Sequence, residues 1–186
     1  MYHLLFLLLL VTHPLSIVAD DKIGHTTLNN DIVAEHHHLG VHEHGRGSLN
    51  FAIEGDRISI ELISSAADIL GFEHKAQTRI QTLAVDNAKM KLKDISNIIL
   101  LPSAASCKVD QSAVDLIYDH NALHSEFLAI YDITCEVPEK LVKIDISYFE
   151  IFEDAKKLTV NVVGSKLQKK IEANRGLTEI DLEGIS

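Results

Sequence analysis

Residues 48–64, SLNFAIEGDRISIELIS, decide the fold. Leu49, Phe51 and Ile53 alternate with small or polar residues, and Ile58, Ile60 and Leu62 repeat the pattern beyond Gly55-Asp56. Residues two apart in an extended chain share a face, so each run is a strand with one buried side and the Gly-Asp pair is the bend of a β-hairpin. Downstream, SSAADILGFEH suggests a short helix: Ser65 followed by Asp68 has the spacing of a capping box, and Gly71 would end the helix after one or two turns. A longer helix is expected over residues 75–93, with Ile80, Leu83, Ala84, Asn87, Met90 and Lys91 on one stripe facing the core.

Beyond Pro102 and Ser103 the chain reads mainly as strands, over residues 106–118, 126–136, 141–147 and 158–163. Val142, Ile144 and Ile146 alternate with Lys143, Asp145 and Ser147, the pattern of a sheet with one wet face. YFEIFEDAKK, residues 148–157, is a connector whose aromatic side chains cap the core, and residues 164–186 form a weaker strand pair or an exposed tail. No internal repeat is visible. The expected class is α+β: an antiparallel β-sheet with one main α-helix and a flexible His-rich N-terminal leader.

Upstream of the hairpin the chain changes character twice. The start, MYHLLFLLLLVTHPLSIVAD, has an apolar core over residues 4–11 that is too short to span a bilayer. Pro14 breaks it, and Ala19 offers a cleavage point before Asp20. Residues 1–19 are therefore expected to be a signal peptide, with a membrane anchor as the alternative, residues 20–45 a His-rich leader, and residues 46–186 a single domain. No second apolar stretch is long enough to cross a membrane, so no membrane insertion is expected after cleavage. No Cys follows the cut, which argues against a lipid anchor. The leader has little apolar periodicity and is rich in Asp, Asn, Thr, Gly and His, a composition that buries too little apolar surface to fold by itself.

Export bears on Cys107 and Cys135, the only two cysteines. In an oxidising compartment a lone pair is expected to form a disulfide, with free thiols or metal ligands as alternatives, and no CxxC supports a redox or zinc-knuckle site. The formal charge of -10 and the absence of a basic stripe disfavour nucleic acid, since there is no cationic surface to release counterions. With no Trp and few aromatics, a sugar- or base-stacking surface is also unsupported.

What remains conspicuous is histidine: 11 in the chain, five of them between His36 and His44. Neutral imidazole is the commonest zinc ligand and also suits nickel and copper(II). His36, His37 and His38 suit labile capture by a flexible segment. The bland alternative is a polar leader with incidental histidines. His42 and His44 differ, because they lie two apart and abut the first strand, so an extended backbone would aim both to one side. Zinc takes three or four ligands, so further donors are needed. His74, His120, His124 and the carboxylates of Glu43, Glu73 and Asp119 are available. For His74 the alternative is a helix-start residue bonded to backbone. For His120 and His124, four apart, it is a solvated loop. Met90, the only Met after the cut, reads as core, so copper(I) lacks soft ligands. No Asp-rich calcium loop is present. An enzyme is not expected: there is no HExxH, and no GxSxG supports a nucleophile. The competing classes are a structural or interaction module and a metal-dependent hydrolase.

The segments HEHGRGSLNFAIEGDRISIELIS, LGFEH, the Cys107 strand and HSEFLAIYDITC together resemble the periplasmic zinc-uptake proteins of the ZrgA type. The resembling motifs are His42-Glu43-His44-Gly45, Glu54-Gly55, Gly71-Phe72-Glu73-His74, Cys107, Cys135, His124, and the aromatic run at residues 148–152. They cover roughly residues 41–164. The resemblance implies an exported bacterial protein that binds zinc in the periplasm and assists an ABC-type importer or its binding protein. It also implies His42, His44, His74 and His124 as candidates for an ordered site. The family's long histidine-rich insert ahead of the second Cys is short here, YDHNALH over residues 118–124, which shifts ion capture toward the leader.

Overall fold

The computed structural model describes residues 44–121 and 123–185. The expected signal peptide and the leader residues His36, His37, His38, His42 and Glu43 lie outside the described residues.

The hairpin forms where the alternation places it. Strand β1 (Arg46–Glu54) pairs antiparallel with β2 (Arg57–Ser65), Glu54 opposite Arg57, across a Gly55–Asp56 loop. Gly55 has φ +62 and Asp56 has no positive φ, so glycine supplies the left-handed conformation at the first loop position, as a type II′ turn requires. A second hairpin joins β4 (Cys107–Tyr118) to β5 (Ser125–Cys135). Near the C-terminus β7 (Lys157–Val163) pairs with β8 (Gln168–Asn174). These six strands make one sheet in the order β4-β5-β2-β1-β7-β8.

The expectation of a purely antiparallel sheet is corrected at one seam: β1 and β7 run parallel, Phe51 opposite Val162. The long chain between them allows the crossover that parallel neighbours need. A second correction concerns residues 164–186. They are neither a tail nor a simple pair, because β8 extends the large sheet while β9 (Glu179–Asp181) joins β3 (Ile99–Leu100) and β6 (Lys143–Ile146) in a smaller one of order β3-β6-β9.

One hydrophobic core connects both sheets. It takes Leu49, Phe51 and Ile53 from β1, Ile58, Ile60 and Leu62 from β2, Tyr131 and Ile133 from β5, and Ile144 and Ile146 from the small sheet. The aromatics of helix α3 (Tyr148–Ile151), with Phe152 after it, close the core as expected, and the Tyr148 hydroxyl lies 2.6 Å from Ser64 Oγ.

The main helix, α2 (Arg79–Lys93), starts four residues later than expected. A capping box starts it: Thr78 Oγ1 accepts the Gln81 amide while the Gln81 side chain accepts the Thr78 amide. Its expected inward stripe is also corrected. Ile80, Leu83 and Met90 are 80, 50 and 63 % exposed, whereas Ala88 and Leu92 are buried. The helix contacts β4 and the short helix α1 (Ala66–Leu70), and the Tyr131 hydroxyl donates to the Leu92 carbonyl. Among the described residues no helix is long and apolar enough to cross a membrane.

Register gathers the site at one end of the large sheet. Gly47 at the start of β1 lies opposite Ser64 at the end of β2, and Ser65 lies opposite Glu126 at the start of β5. The opposite end carries Cys107 and Cys135, which face each other across β4 and β5 and form the expected disulfide.

Candidate metal centre

Three side chains far apart in sequence meet at this end: His44, Glu73 and His124. His124 Nδ1 lies 2.6 Å from Glu73 Oε2, and His44 Nε2 lies 3.4 Å from Glu73 Oε1. The carboxylate is 9 % exposed, while the His44 and His124 side chains are 65 and 57 % exposed. The anion is thus largely enclosed, while both imidazoles reach the solvent.

Each member has a local reason for its place. His44 is turned toward Glu73 by Gly45, whose φ of +81 only glycine adopts without strain. Gly45 is tied down further: its amide donates to Asp68 Oδ1 at 2.7 Å and its carbonyl accepts the amides of Lys156 and Lys157. Glu73 follows α1, which Ser65 caps by accepting the Ala67 amide and which Gly71 ends at φ +78. The expected Ser65–Asp68 capping box is therefore corrected to half a box, because Asp68 is drawn away to Gly45. Ser65 Oγ donates to Glu73 Oε1 at 2.5 Å, and Ser125 Oγ donates to the Glu73 carbonyl at 2.6 Å. His124 is set by Asp119, whose Oδ1 accepts the amides of Leu123 and His124.

The charges follow from these contacts. Burial pushes the Glu73 carboxyl up, but hydrogen bonds from Ser65 and His124 and the nearby imidazoles outweigh it and hold Glu73 below the usual carboxylate range. The Glu73 hydrogen bond and its charge raise His124. Desolvation pushes Asp119 up, but backbone hydrogen bonds from His124 and Leu123, with the nearby His124 imidazole, together outweigh it and lower Asp119. Asp68 is raised: burial dominates over the Gly45 hydrogen bond, and among the described residues Asp68 Oδ2 has no hydrogen-bond partner.

Of the residues singled out from sequence, the structure brings together His44, Glu73 and His124, with Asp119 supporting the loop. His74 is not among them. Its Nδ1 donates to the Lys75 carbonyl at 3.0 Å and its ring lies against Phe72, centroids 5.1 Å apart. His120 sits exposed in the turn between β4 and β5. Among the described residues no group of three or more His, Cys, Asp or Glu side chains forms a ready-made metal cage, because both imidazoles face the carboxylate rather than a common point. Sequence reasoning missed the grip of Ser65 and Ser125 on Glu73. A lone serine 52 residues away in sequence leaves no local signal of such a contact.

A family model described as ZrgA family zinc uptake protein matches residues 41–182. A search of curated proteins returns no match.

Proposed function

The chain belongs to the ZrgA family of zinc uptake proteins, and from that premise we propose that it captures or buffers Zn2+ in the bacterial periplasm and passes it to an ABC-type importer or that importer's binding protein. Zinc is the cargo, and no catalysis is involved. The observation that carries the reading is the largely enclosed Glu73 carboxylate facing two exposed histidines drawn from residues 44 and 124. Imidazole nitrogens beside a fixed negative charge suit a borderline divalent ion: zinc first, nickel and copper(II) by the same chemistry. His42, next to the described residues, and the leader histidines His36, His37 and His38 supply the remaining donors and the labile capture step. The domain places an exposed histidine pair close in sequence to the histidine-rich leader, and such an arrangement suits loading and release better than permanent retention.

Metal analysis and chelator competition on the tag-free mature protein test the reading. The expected result is bindable zinc at micromolar concentration, weakened when His44 and His124 are both replaced by alanine. A mature protein with no bindable zinc at that concentration would leave the competing class, an interaction module with incidental histidines, in its place.

A further inference from the structure

We propose that Glu73 is a positioning residue rather than a metal ligand: from its largely enclosed seat it holds His124 in the tautomer that presents Nε2 to the incoming cation. The inference rests on the zinc reading of this site and assigns the roles within it.

The hydrogen bonds determine the proton positions. A carboxylate has only acceptors, so the 2.6 Å contact places a proton on His124 Nδ1. In neutral imidazole the other nitrogen then carries the lone pair that binds metal. The Ser65 hydroxyl has one hydrogen. Its oxygen accepts the Ala67 amide at 3.1 Å, so that hydrogen goes to Glu73 Oε1. Ser125, the residue after His124, grips the Glu73 backbone carbonyl, so the segment carrying the imidazole is tied to the residue that orients it. Ser65 and Ser125 are both buried.

Glu73 has both oxygens engaged, Oε1 by Ser65 and Oε2 by His124. Direct ligation would require a cation to reach a largely enclosed carboxylate and share its oxygens with both of these donors. Binding at His124 Nε2 breaks neither bond, and the His124 side chain is more than half exposed. Metal-bound histidines generally donate their second ring N–H to a carboxylate or carbonyl, which fixes the ring and raises its basicity. The ligand class that follows is a divalent transition ion that takes neutral imidazole. Calcium and magnesium, which need oxygen ligands, are excluded from this position.

The experiment uses the full mature protein. Nitrogen-15 NMR of the metal-free form above the histidine titration range reports the His124 tautomer, and chelator competition reports zinc affinity for E73Q, E73A and H124A. We expect the Nδ1–H form in the wild type and in E73Q, whose amide carbonyl still accepts that proton, and loss of this bias in E73A. Zinc affinity is expected to fall roughly tenfold in E73A and H124A, yet stay close to wild type in E73Q. An Nε2–H tautomer in the wild type, or an E73Q loss as large as that of H124A, would overturn the positioning role. Wild-type affinity in H124A would instead overturn the zinc reading of the site. If E73A does not fold, the wild-type tautomer and the E73Q affinity decide the question.

Discussion

Removing the Cys107–Cys135 bond is expected to destabilise the fold without disturbing the candidate site. The bridge spans 28 residues of sequence. Closing a loop of that size restricts the unfolded chain by an amount worth about 3.6 kcal/mol at room temperature on the chain-entropy relation. Replacing both cysteines by alanine exposes that term, and Cys135 lies in the core, so the shorter side chain adds a small packing loss. The expected total is about 3–5 kcal/mol. Urea unfolding of the oxidised protein and of C107A/C135A measures it. The slope of free energy against urea is expected to rise in the variant, because its unfolded chain is less constrained. His124 immediately precedes β5, eleven residues from Cys135, or about 36 Å along an extended strand. Zinc affinity of the folded variant is therefore expected to match the wild type within about twofold, on the additivity of distant sites. A stability loss below about 1 kcal/mol would refute the entropic argument. A large loss of zinc affinity in the folded variant would refute the separation of the two ends.

Three further outcomes follow from the packing and the charges. L92A is expected to cost about 2–5 kcal/mol in chemical denaturation, since Leu92 is fully buried, while I80A is expected to shift stability by no more than about 0.5 kcal/mol, since Ile80 is mostly exposed. Burial raises Asp68, so the folded state favours its protonated form. That contribution is complete below the unfolded carboxyl pKa and is lost as pH rises through the folded value. D68N, which keeps an acceptor for Gly45, is accordingly expected to gain on the wild type in melting temperature between about pH 4 and pH 7, and a difference that stays flat over that range would contradict the assignment. The His124–Glu73 pair has the opposite limits. Glu73 is lowered, so its share is present above the ordinary carboxyl pKa and fades as pH falls through the folded value. His124 is raised, so its share is complete below the ordinary histidine pKa and fades as pH rises through its folded value. In metal-free protein, the stability difference between wild type and H124A is expected to be largest between those two limits. Because zinc needs neutral imidazole, chelator competition is expected to show weaker zinc binding at about pH 5.5 than at about pH 7.5.

The parts of the fold legible in sequence were those with a local period or a compartment argument behind them. The β1–β2 hairpin was readable because Leu49, Phe51, Ile53, Ile58, Ile60 and Leu62 alternate without interruption around a Gly-Asp bend, and all six are core residues. The disulfide followed from export and a lone Cys pair. The parallel seam of β1 with β7 was not readable, because no turn or spacing encodes a pairing between residues more than 100 positions apart. The α2 stripe was misjudged for a physical reason: Ile80, Leu83 and Met90 are the larger apolar residues, but the helix packs through the face carrying Ala88 and Leu92. At the site, the histidines and Glu73 were visible as residue types. Their selection depends on Gly45, Ser65, Asp119 and Ser125, which act through contacts that composition and spacing do not reveal.

Anomalous diffraction at the zinc edge, on crystals of the mature protein grown with zinc, tests directly whether His124 holds the ion at this end of the sheet. The expected result is a peak about 2.0–2.1 Å from His124 Nε2, with Glu73 still paired to Nδ1. A zinc peak on other residues, with none at His124, would contradict it.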